Sequence, residues 1–269
     1  MSFVSVIVPT YKENANLRPL VTRLFAAVKA RAASDKSVGN VGVRVIVVDD
    51  NSRDGSVETV AALAKEGYDV RIIVRETERG LSSAVLRGFD EALPESRFLI
   101  CMDADLQHPP EDIPNFIRVL RGADAPQFVL GTRYAPGTAI DGDWPLHRRI
   151  ISAGARLLAR PLSPLSDPMS GFFAVDAALY KRTTANINPV GFKIALEIFV
   201  KSQCAAAAEV PINFGVRTAG ESKLTGKVMV MYLLHLYELY MFKMPMFLPL
   251  AAVILLMLLY NLVRFVFGF

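Results

Sequence analysis

Cysteine is scarce in this chain of 269 residues. The two present, Cys101 and Cys204, make no disulfide framework. Cys101 lies inside an apolar run and reads as a small core residue. The scarcity fits a cytosolic domain. Neither G-x-G-x-x-G nor G-x-x-x-x-G-K-[ST] occurs, so the usual dinucleotide-binding and P-loop readings lose support. There is no internal repeat, no low-complexity tract and no aromatic-basic motif of the kind that recognises nucleic acid. The net charge is only +4, which suits an anionic ligand or a membrane surface. The N-terminus, MSFVSVIVPTYKEN, lacks the charged n-region and cleavage site of a signal peptide. Its apolar run is far too short to span a membrane and reads as a buried strand.

What the chain has in excess is hydrophobicity: 52% apolar residues and a mean hydropathy of +0.33. The excess gathers at the C-terminus, where Met244 to Val263 are 20 residues without a charge. At a rise of ~1.5 Å per residue they extend ~30 Å, the thickness of one hydrocarbon core. Pro245, Pro249 and Asn261 weaken the stretch slightly. Lys243 and Arg264 bracket it, so the positive-inside rule sets no orientation. A single tail anchor over 244–267 is the favoured reading; a buried core or dimer helix is the alternative.

Elsewhere strand-like and helix-like segments alternate. SVIVPTY, RVIVVDD (44–50), VRIIVRE (70–76), RFLICMDAD (97–105) and QFVLGTRY (127–134) are short Val/Ile-rich runs bounded by turn residues. Between them Asn14–Lys29, Ser56–Glu66, Leu81–Ala92 and Ile113–Arg121 read as helices. The pattern predicts an α/β fold with a mostly parallel, covered sheet. Such sheets bind ligands at the C-terminal ends of their strands. Polar clusters sit at four of those ends: Pro9 to Glu13, Asp49-Asp50-Asn51, Asp103-Ala104-Asp105, and Arg133. Four on successive strands point to one crevice. After residue 135 come a Gly/Asp/Pro loop (136–145), a helix from His147 to Leu158, a loop LSPLSDPMSGFF (162–173) and a helix from Gly191 to Cys204. Residues 1–226 are read as one catalytic domain. The segment 227–243, KVMVMYLLHLYELYMFK, is expected to be an amphipathic helix at the bilayer interface or a buried helix of the catalytic domain.

Two carboxylates one residue apart, where an apolar strand breaks into a loop, can face one ligand. Without a cation they would repel or take up a proton. Oxygen ligands suit Mg²⁺ or Mn²⁺, with substrate phosphates completing the shell. His108 reads better as a loop hydrogen-bonder than as a ligand. In VVDDNSRDGS (47–56), N-S-x-D-G is turn and helix-cap chemistry, with Asp50 placed to reach a nucleotide. Arg148 and Ser152 are i and i+4 and share a helix face. T-A-G-E-S-K, around Arg217 and Lys223, is a Gly-bearing loop suited to closing over a bound ligand, or merely a solvated one.

PTYKE, VVDDNSRDGS, RGLSSAVLRGF, MDADLQHPPE, GTRY, WPLHRRIIS, DPMSGFF, NPVGFK and GESKL follow one another in this order. Together they resemble the dolichyl-phosphate mannose synthases, inverting family-two glycosyltransferases of GT-A, Rossmann-like fold. The likeness covers residues 3 to about 225, and the tail resembles the single-chain form with its own anchor. It implies transfer of mannose from GDP-mannose to dolichyl phosphate, supplying mannose for protein glycosylation and GPI anchors. It further implies Mg²⁺ or Mn²⁺ as cofactor, a lipid bilayer as partner, and no obligatory protein subunit. The expected place is the endoplasmic reticulum membrane, with the catalytic domain facing the cytosol. By resemblance Pro9, Tyr11, Glu13, Val48 and Asp50 hold the nucleotide. Asp103, Asp105 and Gln107, with Ala104 beside them, hold metal and donor. Arg133, Arg217 and Lys223 meet donor or acceptor phosphates, and Arg148 and Ser152 the acceptor phosphate; Asp105, Arg133, Arg148 and Ser152 form the catalytic set. Three rivals stand: the same chemistry with UDP-glucose, a membrane-tethered nucleotide-sugar binding protein without turnover, and a receptor-like anchored domain whose βα core is only scaffold.

Overall fold

The computed structural model describes residues 2–39, 41–136, 138, 146–188, 193–215 and 226–268, and within helices it leaves a few side chains undescribed, among them those of 146–149. The N-terminal half alternates as the sequence pattern predicts. Strand β1 (Ser2–Thr10) leads to α1 (Asn14–Ser34) and the short α2 (Lys36–Gly39). Then follow β2 (Val41–Asp49), α3 (Ser56–Lys65), β3 (Val70–Val74), α4 (Leu81–Ala92), β4 (Phe98–Cys101), α5 (Ile113–Leu120) and β5 (Phe128–Thr132). The second half adds α6 (Leu146–Ala159), β6 (Phe173–Asp176), α7 (Ala177–Thr183), α8 (Ile194–Lys201), β7 (Ala207–Pro211), α9 (Gly226–Lys243) and α10 (Phe247–Phe267).

The seven strands form one sheet in the order β3-β2-β1-β4-β6-β5-β7. β6 alone runs antiparallel to both its neighbours, and the other pairings are parallel. Along β1 the side chains alternate. Val4, Val6 and Val8 join the core under α1 and α5, while Ile7 joins the opposite core with Val48 and Phe89. Both faces are covered, which is why these strands read as nearly continuous apolar runs. Gly88 sets the depth of α4 on the sheet. A Cβ there would lie 2.6 Å from Ile7 Cγ2 and 3.0 Å from Val48 Cγ2. The chain passes from β1 outward to β3 and then returns to β4 on the other side of β1. That reversal opens a crevice at the carboxyl ends of β1 and β4, where sheets of this class take ligands.

The C-terminal helices differ from expectation in one respect. α9 is not amphipathic. It buries Tyr232, His235, Leu236, Leu239 and Tyr240, and it also exposes Met229, Val230, Leu233, Leu234 and Tyr237. One face packs on the catalytic domain, as the buried-helix alternative expects, and the other is left outward. α10 has 21 residues, ~31 Å at ~1.5 Å per residue. Among the described residues no helix is long and apolar enough to cross a membrane; the side chains at 248, 251, 255, 266 and 267 lie outside that description.

Candidate active site

The loops after β1 and β2 are built as one unit. Thr10 Oγ1 donates to Val48 O at 3.2 Å, and the Asp50 N–H donates to Thr10 O at 3.0 Å. Asp49, almost fully buried, accepts the Ser52 N–H at 2.8 Å and the Ser52 hydroxyl. Ser52 Oγ in turn accepts the Lys12 N–H at 2.8 Å. Asp54 accepts the N–H groups of Asn14 and Ser56, both at 3.1 Å. The N-S-x-D-G stretch is therefore turn chemistry, as its residues imply.

Asp50 is placed differently from a free nucleotide ligand. Its carboxylate is held by the Arg75 guanidinium, with Nε at 2.7 Å, and by the Gly80 N–H at 2.9 Å. Arg75 also bonds Ser83 Oγ at 2.8 Å and Gly80 O at 2.9 Å. Asp50 thus ties the 75–80 loop to the strand end. The Val48 side chain is fully buried in the core, and the Val48 carbonyl accepts Thr10 Oγ1. Pro9 pairs with Val48 across the sheet. Tyr11 lies under two cations, with Arg79 Cζ 5.1 Å and Lys12 Nζ 5.5 Å from its ring centre. Glu13 Oε2 accepts from Asn16 Nδ2 at 2.7 Å.

The stretch after β4 turns sharply. Leu106 has φ 63°, the left-handed region that few non-glycine residues enter. The turn brings the Gln107 N–H back to Asp105 Oδ1 at 3.1 Å. Gln107 Nε2 donates to Gly215 O at 3.2 Å. Asp105 and Ala104 are buried, whereas the Asp103 carboxylate is 38% exposed. His108 is buried, stacked on Phe172 at 5.0 Å, and its Nδ1 accepts the Asp103 N–H at 3.0 Å. Burial lowers the His108 pKa against the pull of Asp103 and Asp105. The ring is neutral and its Nδ1 is spent on the loop, the hydrogen-bonding role its sequence position suggests.

Among the described residues no three His, Cys, Asp or Glu side chains gather as a metal cage. Two carboxylates and the Gln107 amide still suit a hard divalent cation that takes its other ligands from phosphate and water. Gly171 leaves room for this: a Cβ there would touch both Asp103 carboxylate oxygens at 3.6 Å.

Arg133, at the end of β5, is gripped by a partner the sequence reading did not single out. Asp167, fully buried, accepts Arg133 Nε at 2.7 Å, Nη2 at 2.9 Å and the backbone N–H at 3.3 Å. Phe214 covers the guanidinium at 5.0 Å. Burial opposes the charge, but the bonds to Asp167 outweigh it and the Arg133 pKa is raised. Lys193, just before α8, is the second residue missed. Its Nζ donates to Met169 O at 2.7 Å. Burial, then Arg133, pull its pKa down to about 8, while Asp103 and Asp167 pull the other way. The strand-end crevice therefore joins Asp103, Arg133, Asp167 and Lys193. Asp167 stands in DPMSGFF and Lys193 in NPVGFK, so the motifs were visible, but the partners, Arg133 for Asp167 at 34 positions and Met169 O for Lys193 at 24, were not. Ser152 is half-buried on α6. Arg217, Lys223 and the Arg148 side chain lie outside the described residues.

A covered parallel sheet with acids and fixed cations at its switch point defines a nucleotide-sugar-type α/β transferase fold. The glycosyl transferase family 2 model matches residues 5–183. A dolichol-phosphate mannosyltransferase of Mycosarcoma maydis is 58% identical over 241 residues, 89% of this chain and 79% of that one. The Saccharomyces cerevisiae dolichol-phosphate mannosyltransferase is 54% identical over 245 residues, 89% and 87% of the two chains. Among solved structures, glucosyl-3-phosphoglycerate synthase of Mycobacterium tuberculosis, in complex with Mn²⁺ and UDP-glucose, superposes with a TM-score of 0.59. It shares 19% identity, covering 89% of this chain and 78% of that one, a likeness of fold. The chain belongs to glycosyl transferase family 2 and, within it, to the dolichol-phosphate mannosyltransferases.

Proposed function

We propose that the chain transfers mannose from GDP-mannose to dolichyl phosphate with inversion, at the crevice outside β1, β4 and β5. The observation that carries this reading is the half-exposed Asp103 carboxylate after β4 and, across β6, Arg133 at the end of β5, a guanidinium fixed by Asp167, in a chain of this family. The nucleophile is a phosphate monoester oxygen. Its second pKa is ~6, so it is anionic at neutral pH. No strong general base is needed; the task is to hold two anions together. Arg133 suits that task because Asp167 and Phe214 fix its plane before substrate arrives. Lys193 adds a second positive charge on the same side. Asp103, Asp105 and Gln107 are the residues that would hold Mg²⁺ or Mn²⁺, which supplies charge to the diphosphate leaving group.

Tyr11, under Arg79 and Lys12, and the Pro9 to Glu13 loop are assigned to the nucleotide. Arg148 and Ser152 are assigned to the acceptor phosphate, and Arg217 and Lys223 to the donor or acceptor phosphates. Residues 1–226 form the catalytic domain in this reading, and α10 is its membrane anchor. The anchor is supported by apolar side chains exposed along α10, from Leu250 to Val263, with no charge between Phe247 and Val263. A polyprenyl acceptor cannot leave the bilayer cheaply, so the catalytic face belongs at the headgroups; the endoplasmic reticulum membrane, cytosolic side, is the place assigned. The test is label transfer in detergent from GDP-mannose or UDP-glucose to dolichyl phosphate, with and without a chelator. Chelator-sensitive lipid labelling from GDP-mannose alone is expected. Labelling from UDP-glucose overturns the sugar, and none from either overturns turnover.

A further inference from the structure

Glu209 is an unusual residue for its place. It stands third in β7, an edge strand of the sheet, opposite Leu130 of β5. Successive side chains of a strand face opposite ways. Val210 joins the core under α1 and α5, so Glu209 faces the other side, where Leu165 and Phe199 lie. A carboxylate among such neighbours needs hydrogen-bond donors. Ser166 supplies two to the same oxygen. Its N–H donates to Glu209 Oε1 at 2.6 Å and its hydroxyl at 2.8 Å. A carboxylate at neutral pH only accepts, so Ser166 spends its one hydroxyl proton on Glu209. The contact between Ser166 Oγ and Thr132 Oγ1, at 2.6 Å, must then use the Thr132 proton. Thr132 Oγ1 in turn accepts the Tyr134 N–H at 3.1 Å. The bonds run one way, from the Tyr134 backbone through Thr132 and Ser166 to Glu209.

This relay lies directly behind Arg133. Thr132 and Arg133 are consecutive, as are Ser166 and Asp167. Thr132 bonds Ser166 while Arg133 bonds Asp167, so the end of β5 and the loop are locked in step. Both peptide N–H groups about Arg133 are held, its own by Asp167 Oδ2 at 3.3 Å and that of Tyr134 by Thr132. Glu209 is the far anchor of the lock. It holds the Ser166 N–H just ahead of Asp167, and it fixes the direction in which two hydroxyl protons point. We infer that Glu209 is a positioning residue for the transfer, setting the Arg133 guanidinium through Ser166, Thr132 and Asp167. Its carboxylate is spent on Ser166, so its action on the reaction passes through Arg133. The inference rests on the reading of Arg133 as a phosphate-binding residue.

The test uses the full chain in detergent, as Glu209→Ala and Arg133→Lys, singly and together. Glu209→Ala should lose roughly ten- to a hundredfold in kcat/KM for mannosyl transfer per folded molecule, the scale of a misplaced positioning group. In the Arg133→Lys background, where no planar group is left to set, the same change should cost little more. Equal fold losses in both backgrounds mark a general structural role and overturn the inference. Wild-type kcat/KM in folded Glu209→Ala overturns it too. If Glu209→Ala does not fold, Glu209→Gln, which keeps the shape, carries the same cycle. Near wild-type transfer by Arg133→Lys refutes the reading of Arg133 itself, and is told apart because Arg133→Lys alone shows it. A second readout needs no turnover, so it stands even if mannosyl transfer is not observed. It is solvent exchange of the Arg133 Nε–H, followed by ¹⁵N NMR and identified by its absence in Arg133→Lys. Exchange should be about tenfold faster in Glu209→Gln than in wild type, the scale of one weakened hydrogen bond. Unchanged exchange overturns the inference.

Discussion

Asp167→Ala removes the fully buried carboxylate that fixes Arg133. Three contacts go at once: the Nε and Nη2 bonds at 2.7 and 2.9 Å and the backbone contact at 3.3 Å. What remains is a guanidinium with a side chain only 10% exposed, its hydrogen-bonded carboxylate gone and the weaker field of Asp103 left acting on it. Breaking a buried pair from one side costs ~3–5 kcal/mol, chiefly because the surviving charge is stranded. For a domain of this size that is roughly 6–20 °C in Tm. Asp167→Asn keeps the shape and one acceptor but not the charge, and should cost less, about 1.5–3 kcal/mol. The assay has two arms, thermal unfolding in detergent and kcat/KM for mannosyl transfer. Both variants should lose activity beyond their loss of folded protein, since Arg133 is no longer held in plane. A Tm within about a degree of wild type for Asp167→Ala refutes the pair. A large loss of Tm with unchanged kcat/KM keeps the pair but refutes its positioning of Arg133.

Gly88→Ala should destabilise by ~1–3 kcal/mol through overpacking against Ile7 and Val48, read as a lower midpoint in denaturant. Glu197 is fully buried in α8, bonded to His235 Nε2 at 2.6 Å, Lys201 Nζ at 2.6 Å and the Asn188 N–H at 2.8 Å. Burial pushes its pKa up, but those bonds outweigh it and the pKa is lowered. Its stabilisation is present above the unfolded carboxyl pKa of ~4.3 and is lost as pH falls through the folded value. Glu197→Gln should therefore be less stable than wild type at neutral pH, with the gap closing in acid. Lys193 has a folded pKa of about 8, so its cation fades as pH rises past that value. Donor kcat/KM should fall above about pH 8, and Lys193→Met should lose that limb of the profile. The sign for stability is opposite. Between the folded value of about 8 and the reference value of 10.5 the unfolded chain holds the extra proton, so unfolding free energy rises with pH.

Much of the fold was legible because its signals are local. β1 to β5 are short Val/Ile runs bounded by turns, and α4 falls at Leu81–Ala92 as its pattern implies. β6 was not legible: FAVD is four residues long, and its antiparallel place between β4 and β5 comes from partners distant in the chain. β7, which the sequence pattern left unassigned, contains three strand-poor residues, Ala207, Ala208 and Glu209. In the site, the acids after β4 announced themselves by ending an apolar strand. Asp50 announced itself equally well, but its bonds to Arg75 and Gly80 did not, because a charge pattern does not say which neighbours a carboxylate will meet. Asp167 and Lys193 depend on tertiary pairing, so only their motifs showed.

The measurement that tests the strand-end site most directly is mannosyl transfer by Asp105→Ala, paired with its thermal unfolding. Asp105 is buried at the break of β4, where its carboxylate accepts the Gln107 N–H. The variant should remain folded and lose transfer by at least about a hundredfold, the scale of removing one preorganised group that meets developing charge. A folded Asp105→Ala protein that transfers mannose at near the wild-type rate contradicts the assignment of this crevice as the site of transfer.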